Sequence, residues 1–332
     1  MHYDVFNGDA DGIIALLQLR LAAPKESRLI TGVKRDISLL KRVDVSKAST
    51  VTVLDISLEK NNQALQALLD NQVDVFYVDH HRTGDIPKST KLTTLLNTDA
   101  NTCTSLLVND FLKGQYTNWA IAAAFGDNMH ASASHLAQKV GLSMREQEQL
   151  NELGTYINYN GYGQELSDLH FHPAELYQLL LQYPDPFILI NERDSVFSQL
   201  KMAYLADMAK ARTAEVLSDN EVVKTIMLED AAWSRRVSGV YGNDLANQAP
   251  DKAHIVVTLN PNEIDQPSTS DGQTEQSYTL SLRAPLNNKQ GAGDICAQFP
   301  TGGGRAAAAG INVLPKSQLA KFIKHVEHYY RA

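Results

Sequence analysis

The sequence predicts an α/β fold in two parts: an N-terminal domain built on a largely parallel sheet with flanking helices, and a smaller C-terminal α/β domain. The chain has 332 residues, 43% of them hydrophobic, which is enough for two buried cores. Short apolar segments alternate with segments of helical periodicity, as in βαβ units. A segment free of glycine and proline, residues 193–219, predicts one long helix between the domains. We therefore expect a metal-binding domain over residues 1–190, a connecting helix over 191–219 and a substrate-binding domain over 220–332.

The predicted elements follow one another in a regular order. In the N-terminal domain we expect strands at residues 3–6, 28–33, 50–55, 73–79 and 92–96. In the last third we expect strands at residues 222–228, 255–259, 278–282 and 311–314, a polar loop at 266–276 and a helix from Ser317. The alternation in the first part indicates a parallel sheet covered on both faces.

Composition limits the classes of function. The formal net charge of -8 lacks the basic surplus of a protein that tracks long nucleic acid. The two cysteines, Cys103 and Cys296, are far apart and form no metal or redox pair, so we expect both to be buried thiols in a reducing compartment. The N-terminus lacks the basic region and apolar core of a signal peptide. No apolar run reaches the ~18 residues of a membrane span. We expect a cytoplasmic protein that does not enter membranes.

Acidic and imidazole side chains follow four apolar segments, each of which we predict as a strand. Parallel strands bring their carboxyl ends to one edge of the sheet, where α/β proteins bind ligands. Taken singly, Asp11 or Asp55 is more typical of a cap on the helix that follows it. Together, so many negative groups in one cleft require cations. The side chains are those of Asp9, Asp11, Asp55, Asp79, His80, His81 and Asp127.

A set of carboxylate and imidazole ligands without thiolates suits Mn²⁺ or Mg²⁺ better than a structural zinc ion. Asp9 and Asp11 are two residues apart on one turn, so each could take a different ion while Asp55 bridges the two. Two ions about 3.5–4 Å apart stabilise both the attacking and the leaving oxygen of a phosphoryl displacement. The sequence therefore predicts metal-assisted phosphoester hydrolysis.

These motifs resemble those of the DHH phosphoesterase superfamily. Asp79-His80-His81 is similar to the motif that names it, Asn7–Gly12 resembles its first motif, Leu54-Asp55 its second and Gly126-Asp127 its fourth. The C-terminal part resembles the DHH-associated domain of RecJ-type exonucleases, oligoribonucleases and cyclic-dinucleotide phosphodiesterases. Its matching segments are Ser281-Leu282-Arg283, and Gly302-Gly303-Gly304-Arg305 followed by Ala308-Ala309-Gly310.

The resemblance implies a role for each residue. It implies two Mn²⁺ ions, with Mg²⁺ or Co²⁺ as alternatives, and His81 in contact with the scissile phosphate or the attacking water. Asp79 would orient an imidazole. Arg283, Gly302, Gly303, Gly304 and Arg305 would bind the substrate. The implied metal ligands are Asp9, Asp11, Asp55, His80 and Asp127.

Two positions depart from the family pattern. Asn7 stands where many members have histidine or aspartate, so it is either a weaker neutral ligand or a group that positions water. Arg305 stands where the common motif has histidine; a guanidinium binds phosphate through two donors and keeps its charge. We expect Arg305 to bind a phosphate.

The predicted function is hydrolysis of phosphodiester bonds in short oligonucleotides, linear dinucleotides or cyclic nucleotides. A pyrophosphatase or exopolyphosphatase and a nucleotide-sensing module without turnover remain alternatives. No long nucleic-acid partner is expected, and a homodimer is a further expectation. RNA or DNA specificity and direction of degradation stay open.

Two further segments give weaker signals. His170 and His172 could pair as ligands, but Pro173 favours a structural role at a helix start. Asn158–Gly163 is either an aromatic loop that stacks a base or a helix terminator.

Overall fold

A computed structural model describes residues 1–99, 101–260 and 275–331, and the chain divides into two units, Met1–Tyr204 and Leu205–Ala332. The first unit contains a five-stranded sheet in which every strand pair is parallel, in the order β2-β1-β3-β4-β5. This confirms the predicted fold class. The strands are β1 (His2–Phe6), β2 (Arg28–Ile30), β3 (Thr50–Leu54), β4 (Asp74–Asp79) and β5 (Leu92–Leu96).

Helices cover both faces of this sheet. The helices of the first unit are α1 (Ala10–Ala22), α2 (Leu58–Asp70), α3 (Thr104–Phe111), α4 (Thr117–Gly126), α5 (His130–Lys139), α6 (Met144–Gly161), α7 (Pro173–Leu180) and α8 (Pro186–Asn191). Successive residues of a strand enter different cores: Val53 packs with α2, whereas Leu54 packs with α1, α3 and α4. Burial on both faces explains why the central strands β1, β3 and β4 are rich in apolar residues, whereas the edge strands β2 and β5 are partly exposed.

The segment before Asp127 is a helix, so our prediction of a strand there is wrong. Residues 119–126 lie in α4 and all of them are buried. The segment is rich in alanine, which favours a helix, and a helix that is apolar on all sides belongs in a core. Asp127 is the C-cap residue of α4. It therefore reaches the sheet edge from a helix end.

The predicted connecting helix is shorter than its pattern suggested. Helix α9 covers Val196–Ala211, and Glu215–Asp219 forms strand β6, which pairs antiparallel with β7 (Val223–Leu228). A strand at this position depends on pairing with a later segment, which helical periodicity cannot reveal. The division between the two units falls within α9, and the three-part boundaries stay a prediction.

The second unit contains a mixed sheet of six described strands in the order β10-β11-β9-β8-β7-β6. Of these described strands, β7 and β8 are the one pair that runs parallel. The remaining elements are β8 (Ala253–Leu259), β9 (Ser277–Arg283), β10 (Gly302–Gly304), β11 (Ala308–Pro315), α10 (Ala232–Gln248), α11 (Ala292–Cys296) and α12 (Leu319–Arg331). The core of this unit includes Val257, Leu280, Ile311 and Phe322. Most of the polar loop predicted at residues 266–276 lies outside the described residues.

Two further expectations concern the whole chain. Cys103 and Cys296 are both buried free thiols, as predicted. Within the described ranges, no helix is long and apolar enough to cross a membrane.

Candidate functional site

The candidate site lies at the carboxyl edge of the parallel sheet. Its centre is His80, which directly follows β4. The Nε2 atom of His80 lies 3.4 Å from Asp55 Oδ1, 3.8 Å from Asp127 Oδ2 and 3.9 Å from Asp11 Oδ2. Two ligand groups share His80: Asp11, His80 and Asp127 form one, and Asp55, His80 and His81 form the other. Within each group the ligand atoms lie within 4.8 Å of one another.

The ring of His80 is oriented for coordination. Its Nδ1 lies 3.0 Å from the carbonyl oxygen of Thr102, so Nδ1 carries the hydrogen and donates it to that oxygen. The lone pair of Nε2 then points to the carboxylates. A histidine ligand is held in this way in many metal sites.

Asp11 is fixed by the N-terminus of a neighbouring helix. Its carboxylate accepts hydrogen bonds of 2.7 Å from the backbone N–H groups of Thr104 and Ser105, in the first turn of α3. Asp11 thus caps α3 and not α1, the helix that follows it in our prediction, whose N-cap residue is Asp9. Each carboxylate oxygen has a second lone pair, so capping leaves Asp11 able to bind a metal.

Asp55 adopts an unfavourable backbone conformation. It has a φ of 59°, in the left-handed region that few residues other than glycine adopt and that asparagine and aspartate tolerate best. The Thr104 hydroxyl donates to Asp55 Oδ1 at 3.1 Å. Burial, together with the negative charges of Asp11 and Asp9, raises the pKa of Asp55 well above its usual value.

Asp127 lies at the end of α4, and 12% of its side chain is exposed. Its Oδ2 has no hydrogen-bond partner among the described residues. Burial raises the pKa of Asp127, and Asp11 and Asp9 add to the increase. A Cβ atom on Gly126 would lie 2.6 Å from the Ala10 side chain, so this glycine lets the end of α4 approach α1.

His81 and Asp79 form a pair beside these ligands. The Nδ1 atom of His81 lies 2.7 Å from Asp79 Oδ1 and 3.8 Å from Asp55 Oδ1. Asp79 is completely buried, whereas 39% of the His81 side chain is exposed. Burial lowers the pKa of His81, but the hydrogen bond and charge of Asp79 outweigh it and raise the pKa. The imidazole that Asp79 orients is therefore that of His81.

Lys34 is a residue that the sequence analysis missed. Its Nζ lies 2.6 Å from Asp9 Oδ2, 3.1 Å from Asn158 Oδ1 and 3.6 Å from Asp127 Oδ1. Burial acts to raise the pKa of Asp9, but the charge and hydrogen bond of Lys34 lower it to about 2. Lys34 follows β2, so the strand-end argument that selected the carboxylates would also have selected it.

The donor set fits a divalent ion. Several carboxylates are buried together, two of them have raised pKa values, and the buried Asp127 Oδ2 has no hydrogen-bond partner in the described part of the chain. Like charges at such distances repel, and a cation removes that repulsion. Oxygen and imidazole ligands without thiolate suit Mn²⁺ or Mg²⁺.

The predicted substrate-binding residues lie at one end of the second sheet. Ala308 of β11 pairs with Arg283 of β9, and the adjacent Ala309 pairs with Gly304 of β10. The guanidinium of Arg283 donates to Asn243 Oδ1 at 2.6 Å and to other groups of the same unit.

Gly302, Gly303 and Gly304 form an edge strand that ends at the exposed Arg305. A Cβ atom on Gly303 would meet no described atom within 4 Å, so its backbone is open to an approaching molecule.

The two weaker signals have structural explanations. His172 is the N-cap of α7, where its Nδ1 accepts from the N–H of Ala174 at 3.1 Å, and His170 Nε2 lies 2.8 Å from the Tyr159 hydroxyl. The structural role that we favoured for both is confirmed. Residues 158–161 end helix α6, as the helix-terminator interpretation predicts.

Comparison with known proteins agrees with this geometry. The model of the DHH family N-terminal domain matches residues 3–137. No curated protein matches the chain. A crystal structure of the exonuclease RecJ bound to manganese is 18% identical, with a TM-score of 0.59 over 99% of this chain and 90% of that chain. RecJ from Thermus thermophilus in complex with Mn²⁺ is 14% identical, with a TM-score of 0.55 over 99% of this chain and 52% of that one.

A third similar structure is PggH, a pGpG-specific phosphodiesterase from Vibrio cholerae. It is 11% identical, with a TM-score of 0.56 over 100% of this chain and 99% of that chain. At these identities the likenesses establish a shared fold, and the family match covers the segment that carries Asp9, Asp11, Asp55, His80 and Asp127. Residues 3–137 of this chain are therefore similar to the N-terminal domain of the DHH family.

Proposed function

We propose that this chain is a divalent-metal-dependent phosphodiesterase that hydrolyses short oligonucleotides, linear dinucleotides or cyclic nucleotides. The observation that carries the proposal is the convergence of Asp11, Asp55, Asp127 and His80, with His81 beside them. The DHH-family domain and the RecJ-like fold support it.

Four side chains are the proposed metal ligands: Asp11, Asp55, His80 and Asp127. The sequence also predicts Asp9 and Asn7 as ligands and two ions, with Mn²⁺ preferred over Mg²⁺ or Co²⁺. A bound divalent ion lowers the pKa of a coordinated water and stabilises negative charge on phosphoryl oxygens.

His81 is the proposed catalytic residue, and Asp79 its positioning residue. Asp79 accepts the hydrogen on Nδ1, so Nε2 is the ring nitrogen left to contact the attacking water or the scissile phosphate. In the reaction a water oxygen bonds to phosphorus while the bond from phosphorus to the leaving oxygen breaks. One proton of the water is lost, and the leaving oxygen gains a proton to become a hydroxyl group.

The second unit is proposed to bind the substrate phosphates. Arg305 is exposed next to the open backbone of Gly303, so a phosphate could contact both. Arg283 donates hydrogen bonds to Asn243 and Ser281, which hold its guanidinium in one orientation. A guanidinium held in this way would bind a substrate phosphate from a fixed position.

Short substrates fit the charge of the chain. A formal net charge of -8 does not favour a long polyanion, whose binding depends on many basic contacts. Cytoplasmic location and a homodimer stay predictions from the sequence.

The test is hydrolysis of 5′-labelled RNAs of graded length in Mn²⁺, alongside a linear dinucleotide, a cyclic dinucleotide, long single-stranded DNA and pyrophosphate. We expect the short substrates to be cleaved fastest. His81→Ala should lower the rate about 10²–10⁴-fold, the usual contribution of a positioned acid or base. His135→Ala, which changes an exposed histidine on α5, should have no effect.

Three results would contradict the proposal. Faster cleavage of long single-stranded DNA would overturn the size argument. Phosphate release from pyrophosphate as the main activity would favour a phosphoanhydride hydrolase. Nucleotide binding that survives Asp79→Ala and His80→Ala, without hydrolysis by the parent protein in any metal, would favour a sensor.

A further inference from the structure

The ammonium group of Lys34 lies inside the candidate metal site. It is in hydrogen-bond contact with Asp9 Oδ2 at 2.6 Å and lies 3.6 Å from Asp127 Oδ1. Asn158 at the end of α6 accepts a further hydrogen bond at 3.1 Å. These are oxygen ligands of the kind that a divalent ion would take, and here a side-chain cation contacts them.

The position of Lys34 is fixed by its own backbone. The N–H of Lys34 donates to the Gly161 carbonyl at 2.8 Å, and the Lys34 carbonyl accepts from Asn7 Nδ2 at 3.1 Å. Gly8 contacts the carbonyl of Gly32 so closely that a Cβ atom could not fit there. Only 26% of the Lys34 side chain is exposed. Lys34 is therefore held by the same motif, Asn7–Gly12, that supplies Asp9 and Asp11.

The carboxylates differ in their contact with Lys34, whose Nζ lies 2.6 Å from Asp9 Oδ2 and 3.6 Å from Asp127 Oδ1. Asp11, Asp55 and Asp127 gather around His80, whereas among the described residues Asp9 belongs to neither ligand group. One oxygen of Asp9 caps α1 through the N–H of Gly12 at 3.1 Å, and the other contacts Lys34. Asp9 is thus paired with an ammonium group before any metal binds.

We propose that Lys34 replaces one of the two expected metal ions, so that the site holds a single divalent ion at Asp11, Asp55, His80 and Asp127. A second divalent ion on Asp9 would lie next to the Lys34 ammonium group, which is 2.6 Å from Asp9 Oδ2, and the two cations would repel each other at short range. The single ion and the lysine together bring three positive charges to the four carboxylates of Asp9, Asp11, Asp55 and Asp127. The inference rests on the proposed metal-dependent function, because it concerns the number of ions at that site.

The role of Asn7 follows from this arrangement. Its amide nitrogen holds the backbone of Lys34, and its Oδ1 has no hydrogen-bond partner within the described ranges. In this chain Asn7 therefore positions the lysine that stands in for a metal. Removing the lysine side chain should free Asp9, with Asn7 Oδ1 as a neutral ligand, for a second ion.

The experiment counts Mn²⁺ bound to the full chain without substrate. Elemental analysis after equilibrium dialysis gives the number of ions, and electron paramagnetic resonance distinguishes an isolated Mn²⁺ from an exchange-coupled pair. We expect one isolated ion in the parent protein and in Lys34→Arg, and two coupled ions in Lys34→Met. Lys47→Met, which removes an exposed lysine of the same unit, should still bind one.

A second variant tests the inference without removing the lysine. Asp9→Asn keeps a good N-cap for α1, so the helix should still form. If Lys34 has replaced the ion at Asp9, Mn²⁺ affinity should fall less than roughly 10-fold. Asp127→Asn removes a proposed ligand and should lower affinity by roughly 100-fold or more, beyond the range for groups that only orient a ligand.

Two coupled ions in the parent protein, or one ion still bound by folded Lys34→Met, would overturn the inference. An affinity loss in Asp9→Asn as large as that in Asp127→Asn would also overturn it. These failures differ from a failure of the proposed function, in which one ion binds but none of the phosphodiester substrates is hydrolysed. A parent protein that binds no Mn²⁺ would overturn both.

Discussion

Asp4 and Arg20 join the strand and the helix that flank the Asn7–Gly12 motif, and we expect Asp4→Asn to destabilise the first unit. Asp4 on β1 is completely buried, and both of its oxygens accept hydrogen bonds from the guanidinium of Arg20 in the last turn of α1. Ser27 and His2 also contact the Asp4 carboxylate, at 2.6 and 3.0 Å. Asparagine would keep the shape of the side chain but remove its charge.

The magnitude follows from the pKa of Asp4. Burial acts to raise it, but His2 and Arg20 lower it from 3.8 to about 2. At about 1.36 kcal/mol per pKa unit, the charged form of Asp4 stabilises the fold by about 2 kcal/mol at neutral pH. Because Asp4→Asn also leaves Arg20 buried without its charged partner, we expect the free energy of unfolding to fall by about 2–4 kcal/mol.

The pH dependence has a definite sign. A carboxyl group with a lowered pKa in the folded state stabilises the protein fully above its unfolded-state pKa of 3.8, and this stabilisation is lost as the pH falls through about 2. The difference in unfolding free energy between the parent protein and Asp4→Asn should therefore be constant near neutral pH and shrink between pH 4 and 2.

Urea unfolding measures this difference. Trp119 is completely buried in the first unit, so its fluorescence in a Trp233→Phe background reports the unfolding of that unit. The control is Asp44→Asn: hydrogen bonds from Lys47 and Ser46 lower the pKa of Asp44 to about 2 as well, but its carboxylate lies on the surface. Water screens surface ion pairs, so Asp44→Asn should change stability much less. Equal losses in the two variants, or a difference for Asp4→Asn that persists below pH 2, would refute the reasoning.

Three further predictions concern the metal and the substrate. Mn²⁺ at about 100 times its dissociation constant should raise the unfolding free energy of the first unit by about 2.7 kcal/mol, and chelation or His80→Ala should abolish the increase. Arg305→Ala should raise KM for a dinucleotide and leave Mn²⁺ affinity unchanged, as steady-state kinetics and titration would show. Gly303→Ala should keep the melting temperature because its Cβ enters open space, and it should raise KM because the same Cβ would obstruct the approach of substrate to the backbone. Gly302→Ala should lower the melting temperature because its Cβ would overlap the Cys296 carbonyl. A melting temperature that falls equally in both glycine variants would contradict this last prediction.

Local patterns predicted most of the first unit. Runs of apolar residues separated by helical periodicity predicted all five strands of the parallel sheet, and in the central strands this pattern reflects burial on both faces. Because parallel strands share a carboxyl edge, the sequence also predicted that Asp55 and His80 lie close together, and they are 3.4 Å apart. Both the strands and the residues that follow them can be recognised from segments that are continuous in sequence.

The remaining features depend on contacts between distant residues. The helix α4 before Asp127 and the strand β6 after α9 were decided by packing and by pairing with later segments. The side chain of Lys34 donates hydrogen bonds to Asp9, 25 residues away in sequence, and to Asn158, 124 residues away. Periodicity describes only neighbours along the chain, whereas the charge at a metal site depends on every side chain that folding brings there. The tertiary structure thus decided that a lysine lies among the carboxylates that the sequence motifs had selected.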